Sequence, residues 1–294
     1  MANLKEVRTR IESVNSTRQI TSAMKMVAAS KLRRAQNAIT TMRPYAAKLQ
    51  ELMQDLNRGI EQAGDNKFAV VRPDEKILLV PVTSNRGLCG AFNTNVIRMT
   101  VKLINEQYAK QLEANNVSIY CIGKKGHDFF KSRKFNIYKS NSDIFDALTF
   151  NEITPIAQGL MDDFVEGKFD RIVFVYNQFK NAGTQILIQE QFLPVEMPEI
   201  AEDDFSEGID YIFEPAKDEI LDELIPKTLK IQVYKMLLDS FASEHGARMI
   251  AMHKATDNAT ELLKDLKLSY NKARQAAITN EILEIVGGAN ALNG

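Results

Sequence analysis

Two glycine-bearing turns hold the residues of this sequence best placed to do chemistry. SNRGLCG (84–90) and GKKGHDFF (123–130) each sit where a strand pattern gives way to a helical one. Backbone amides at such a junction can cradle a phosphate or another anion. Neither turn has the GxGxxG or GxxxxGK(S/T) fingerprint, so Gly87 and Gly90 read as turn glycines, and the lysines of the second turn read as a solvated face. His127, His245 and His253 are scattered, and the spacing of eight between the last two fits no metal motif. Cys89 and Cys121 have no CxxC spacing and read as small core residues. No Ser/His/Asp or Cys/His constellation is legible. The expectation is a chain with no catalytic residues, no cofactor and no metal site.

Charge says more than nucleophiles do. Residues 1–43 carry Lys5, Arg8, Arg10, Arg18, Lys25, Lys31, Arg33, Arg34 and Arg43 against Glu6 and Glu12. This face suits an acidic partner surface. Within it, Met24, Met26, Val27 and Leu32 alternate with basic residues. A helix greasy on one side and basic on another fits a groove between proteins. The whole chain has a net charge of −1 and lacks aromatics interleaved among the basic residues, which argues against nucleic acid.

The elements that must carry these residues fall into three expected segments, at 1–60, 65–215 and 216–294. Residues 1–58 contain no glycine and a single proline, Pro44. Leu4, Val7, Ile11 and Val14, then Leu32, Ala35, Ile39 and Met42, recur at helical spacing. A helix of that length spans roughly 80 Å, beyond the usual globular range and typical of coiled coils. Pro44 is expected to bend or break it.

In the middle segment, KILLVPV (76–82), VSIYCIG (117–123), FNIYK (135–139), RIVFVYNQF (171–179) and TQILIQEQFLP (184–194) read as strands. Helical patterns at about 93–113, after GKKG and along EITPIAQGLMDDFVEG alternate with them. That order predicts a mainly parallel, helix-covered sheet. Lys180, Asn181, Ala182 and Gly183 join the last two strands as an antiparallel edge hairpin.

An acidic run at 196–223 leads to Pro226, read as lying near the start of a second long helix. Its seam is expected along Ile231, Tyr234, Leu238 and Phe241, then Met252, Ala255, Ala259, Leu262, Leu266 and Ala273. His245 and Arg248 interrupt it, as Arg18 and Lys25 interrupt the first seam. GGANALNG is expected to stop it. The simplest burial of both stripes pairs the helices. The predicted fold class is therefore α/β: a long antiparallel coiled coil of N- and C-terminal helices with an inserted Rossmann-like α/β domain, giving a rod with a globular lump at one end.

Four stretches carry a family resemblance: ITSAMKMVAASKLRRAQ (20–36), SNRGLCGAFN (84–93), EHGARMIAMHKATDN (244–258) and YNKARQAAITNEILEIVGGA (270–289). In order and at these separations, they resemble the gamma subunits of F-type ATP synthases over essentially the whole chain. The resemblance implies a non-catalytic rotor shaft inside a ring of alpha and beta subunits, with ATP chemistry on beta. It implies coupling positions at Met24, Lys25, Arg248, Gln275, Thr279 and Glu284, and a tip at 285–292 seated in an apolar bearing. It also implies a foot that meets the epsilon subunit and the c-subunit ring, with Phe213 and Glu214 as candidate contacts.

One copy per complex is expected, with no nucleic acid and no membrane span of its own. The N-terminus lacks a signal-peptide core and no apolar run approaches about 20 residues. The expected location is the cytoplasmic face of a bacterial plasma membrane. The redox cysteine pair of chloroplast relatives is not seen, so thiol regulation is not expected. The competing reading is a Rossmann-like nucleotide-binding enzyme with helical dimerisation arms, which would need a phosphate fingerprint.

Overall fold

The computed structural model describes residues 4–57, 67–146, 148–195 and 217–292. Its elements are α1 (Leu4–Asn57), β1 (Ile77–Pro81), α2 (Phe92–Glu106), α3 (Ala109–Glu113), β2 (Val117–Ile122), α4 (Lys124–Ser132), β3 (Ile137–Asn141), α5 (Phe150–Val165), β4 (Arg171–Asn181), β5 (Thr184–Leu193) and α6 (Lys217–Leu292). The chain divides into two compact units. One holds residues 1–28 and 248–294, the other residues 29–247.

The second unit contains the sheet, in the order β3-β2-β1-β4-β5. The first four strands are parallel, and β5 returns antiparallel to β4 at the edge. Central β1 is buried along its whole length, as a near-continuous aliphatic run covered on both faces should be. Side chains alternate between two cores. Leu78, Val80, Ile172 and Phe174 face α5 and the first part of α6. Ile77, Leu79, Ile119 and Val173 face the opposite way, with Ile104 of α2 and Phe130 of α4. Helices on both faces of a mostly parallel sheet make the inserted Rossmann-like domain.

Several local expectations shift, each for a packing reason. The helix expected over 93–113 breaks at Gln107–Tyr108, because the Tyr108 ring turns into the core beneath β1 and β2. The strand expected at 135–139 starts later, at Ile137, because Phe135 folds back onto α4. Its amide donates to the Phe130 carbonyl at 3.1 Å and the two rings meet edge to face at 5.4 Å. The hairpin turn tightens to Ala182–Gly183, with Asn181 Oδ1 accepting from the amides of Gly183 (2.9 Å) and Thr184 (2.8 Å).

Helix α1 does not break at Pro44. A proline there costs about 3 kcal/mol, but Ile39 before it and Leu49 after it are both buried, and such burial contributes about 1.5–3 kcal/mol per side chain. Likewise α6 starts at Lys217, so Pro226 lies inside it, between buried Ile225 and Leu229. Gly287 and Gly288 do not stop α6, which runs on to Leu292. At about 1 kcal/mol per residue, glycine weakens a helix without ending it.

In the first unit, α1 and α6 run antiparallel: Thr21 Oγ1 lies 2.8 Å from Thr256 Oγ1, and Lys25 Nζ lies 3.4 Å from His253 Nδ1. Val7, Ile11, Val14, Arg18, Thr21, Lys25 and Ala28 follow a strict 4-3 alternation, and each is buried or half-buried. Met252, Thr256, Ala259, Leu263 and Leu266 do the same on α6. The expected seam is thus corrected by one position: Leu263 is 7% exposed and Leu262 is 40% exposed. Both stripes repeat every seven residues; the second position of each heptad falls at Thr256 and Leu263 rather than Ala255 and Leu262 because it is Thr256 that meets Thr21 across the pair.

Candidate functional site

The turn SNRGLCG proves to be a helix cap. Asn85 Oδ1, the Ser84 carbonyl and Thr83 Oγ1 accept in succession from the amides of Lys124 (3.0 Å), Lys125 (3.1 Å) and Gly126 (2.9 Å). These are the first three amides of α4, which an anion at that helix end would need. The turn also closes on itself. Asn93 Oδ1 accepts from the Ser84 amide at 2.8 Å, and Asn93 Nδ2 donates to Ser84 Oγ at 2.8 Å and to Cys89 Sγ at 3.3 Å. The anion site read at the second turn is therefore filled by oxygens of the first turn and of Thr83.

Two glycines make this possible. A Cβ at Gly123, where φ is +97°, would lie 2.0 Å from the Thr83 carbonyl oxygen, and one at Gly126 would lie 2.9 Å from Thr83 Oγ1. Both glycines serve close backbone approach. Lys124 and Lys125 occupy the first helical positions with no acidic residue in that turn. The helix dipole disfavours cations there, so the exposed corner is strongly positive.

Among the described residues of the second unit, no other cluster has the build of a catalytic centre. A cavity of about 1220 Å³ opens between β5, α1 and α6. Of its two carboxylates, Asp239 is buried and Glu190 is already engaged, by Tyr176 Oη at 2.6 Å and by Gln232 Nε2 at 2.8 Å. Burial and the Glu190 charge push the Tyr176 phenol well above its usual range. Burial pushes the Cys121 thiol up to about 12, which keeps it protonated and unreactive at neutral pH. Among the described residues no group of histidine, cysteine and carboxylate side chains could hold a metal ion, and no helix is long and apolar enough to cross a membrane.

The surface that remains is the helix pair of the first unit. Met24 and Lys25 are half-buried at or beside the seam. On the outer side of α1, Ile20 is 59% exposed and Met26 65% exposed, with Val27 beside them. Arg248 is buried. Gln275, Thr279 and Glu284 stand in solvent, the threonine hydroxyl donating to the Gln275 carbonyl at 2.9 Å. Phe213 and Glu214, with the acidic residues before them at 202–210, lie outside the described residues.

The Thr21–Thr256 pairing sets residue 4 of α1 opposite residue 273 of α6, since 21 + 256 and 4 + 273 are equal. Residues 274–292 of α6 therefore run about 28 Å past the described start of α1. On this stretch Ile278, Ile282, Leu283, Ile285 and Val286 are all exposed. Ile278, Ile282 and Ile285, spaced by four and three, lie along one stripe, and such a patch on a single helix marks a contact surface. Met24 and Lys25 lie on the paired stretch, and Gln275, Thr279 and Glu284 on the overhang. Thr21 and Thr256 were not singled out in the sequence, and His253 was weighed there only as a metal ligand. The 4-3 spacing that joins Thr21 to Val14 and Ala28 was the signal for the first of them.

A family model described as ATP synthase matches residues 3–292. The chain is 57% identical to a protein named ATP synthase gamma chain from Christiangramia forsetii, over all of both chains. It is 60% identical to the protein of that name from Flavobacterium psychrophilum, again over all of both chains. Among solved structures it resembles a chain of the Euglena gracilis mitochondrial ATP synthase, in an assembly of OSCP, F1 and c-ring. That likeness has a TM-score of 0.71 and 24% identity, and covers 98% of this chain and 94% of the other. A chain of the rotor from the same organism gives a TM-score of 0.67 at 22% identity, over 94% and 98%.

Proposed function

The chain belongs to the ATP synthase gamma chain family, and from that premise we propose that it is the central rotor shaft of an F-type ATP synthase. It is a non-catalytic subunit that couples ion flow through a membrane ring to ATP synthesis and hydrolysis on beta subunits. The observation that carries the reading is the overhang of α6 beyond α1, a single helix with exposed isoleucines. Such a tip has little reason to persist in free solvent and a clear one inside an apolar bearing. That the first amides of α4 are already capped by Asn85, Ser84 and Thr83 supports the non-catalytic assignment.

Alpha and beta subunits surround the paired helices, and the tip stands in their bearing. Met24 and Lys25 on α1, and Arg248, Gln275, Thr279 and Glu284 on α6, are the coupling residues. Arg248 acts from a buried position, holding the helix; the exposed members of the set touch the ring directly. The epsilon subunit and the c-subunit ring bind the foot, through Phe213 and Glu214. The division into an N-terminal helix at 1–60, a foot at 65–215 and a C-terminal helix at 216–294 belongs to the same reading. One copy serves each complex, at the cytoplasmic face of the bacterial inner membrane.

Co-expression with the matching alpha and beta subunits tests this. A stable complex with one copy of this chain, whose ATPase activity depends on it, is expected. Within that complex Met24→Lys is expected to impair coupling and leave assembly largely intact. Failure to assemble, together with nucleotide turnover by this chain alone, would overturn the rotor reading.

A further inference from the structure

The seam of the helix pair is polar over three consecutive inward positions of α1, Arg18, Thr21 and Lys25, flanked by Val14 and Ala28. Opposite stand Thr256, with His253 and Asp257 beside it. The two threonine hydroxyls meet at 2.8 Å. Each also reaches a carbonyl of its own helix, Thr21 to Arg18 at 3.0 Å and Thr256 to Met252 at 2.8 Å. Each hydroxyl has one proton, so when one donates across the seam the other is free to bond back to its own helix. Lys25 Nζ lies 3.4 Å from His253 Nδ1, which lies 3.4 Å from Asp257 Oδ2.

We propose that Thr21 and Thr256 are positioning residues that set the axial register of the α1–α6 pair, and through it the reach of the α6 overhang. The aliphatic seam residues do this less sharply. In the observed register Val7, Ile11 and Val14 stand opposite Tyr270, Leu266 and Leu263. Slipped by a heptad they stand opposite Leu263, Ala259 and Thr256 one way, or Ala277, Ala273 and Tyr270 the other, so all but one of the new partners are again apolar or aromatic and packing alone separates the registers weakly. Slipped by seven residues, Thr21 would face Leu263 or Met249, and Thr256 would face Val14 or Ala28. Each hydroxyl would then lose its cross-seam partner while still shielded from water, which penalises both slipped registers. A one-heptad slip moves one helix about 10 Å along the other, and the overhang with it. In a shaft that turns in a bearing, a consequence that rests on the rotor reading, an error of that size would lift the tip out of its seat.

The test introduces cysteine pairs into the full chain and oxidises them. Val14→Cys with Leu263→Cys reports the observed register, whose residue numbers sum to 277. Val14→Cys with Tyr270→Cys and Ile11→Cys with Ala259→Cys report slips in the two directions. With both threonines present, only the first pair is expected to cross-link beyond trace yield. Thr21→Val with Thr256→Val keeps the shape and removes both hydroxyls, and should raise the slipped pairs at least tenfold. Thr21→Ser with Thr256→Ser, which keeps the hydroxyls, should restore the original pattern. An unchanged cross-linking pattern in the valine variant would overturn the proposal. This readout does not depend on the rotor reading, which stands or falls on assembly with the alpha and beta subunits.

Discussion

Asn85 Oδ1 accepts the Lys124 amide at 3.0 Å, while its own side-chain amide donates to the Ser142 carbonyl at 2.6 Å. One side chain thus ties the turn after β1 to the start of α4 and to the end of β3. Together with Ser84 and Thr83 it turns a sequence that looks like an anion cradle into a structural clasp. Four measurable consequences concern this clasp, the foot and the tip.

Asn85→Ala removes a helix cap and a bridge to Ser142. A loss of about 1–2 kcal/mol is expected, read as a lower urea midpoint with an unchanged slope. An unaltered midpoint would mean that water replaces Asn85 at no cost.

Gly123→Ala should be far worse. The new Cβ would meet the Thr83 carbonyl oxygen at 2.0 Å, in a conformation with φ of +97°. The strand end or the helix start must move, at a cost on the order of 3–5 kcal/mol. Soluble expression and thermal unfolding check this, with Gly159→Ala as the control, since a Cβ there meets nothing within 4 Å.

Asp163 gives the α/β domain an acid-sensitive joint. Burial works to raise its pKa, but hydrogen bonds from Lys168 (2.9 Å) and Tyr138 (3.0 Å) and the charge of Lys139 bring it below the usual aspartate value. A depressed folded-state pKa stabilises above the unfolded value and is lost as pH falls through the folded one. Stability should therefore decline below about pH 4. Asp163→Asn should cost about 2–3 kcal/mol at pH 7 and flatten that decline. Denaturation curves between pH 7 and pH 3 for both proteins supply the comparison.

Ile282→Glu separates fold from function. The side chain is 54% exposed in this chain, so unfolding of the isolated protein should change by no more than about 0.5 kcal/mol. Under the proposed rotor reading the same carboxylate would be carried into the bearing at the tip, and rotor-dependent ATPase activity should fall several-fold. Equal activity in the variant complex would remove the tip from the coupling machinery.

By itself the sequence determined the order and kind of most elements. The 4-3 spacing of Val7, Ile11 and Val14 demands a helix with one buried stripe. The continuous aliphatic run of β1 demands a strand covered on both faces. The glycine and asparagine near 181–183 demand a tight turn. These signals are local, because side-chain direction repeats with the backbone period. The family was legible for a related reason: four motifs in order leave few alternatives.

Tertiary structure decided what local signals weigh too little to settle. Pro44 was read as a bend or a break and Pro226 as lying near a helix start, yet α1 continues through the first and α6 begins nine residues before the second, because buried neighbours on each side offset the local cost. Gly123 and Gly126 could have been a phosphate loop or a close approach, and only the position of Thr83 on the neighbouring strand distinguishes them. The choice of Leu263 over Leu262, and the meeting of Thr21 with Thr256, depend on which residues of a second helix stand opposite. That pairing joins positions 235 residues apart, a separation at which no period along one helix specifies the register of another.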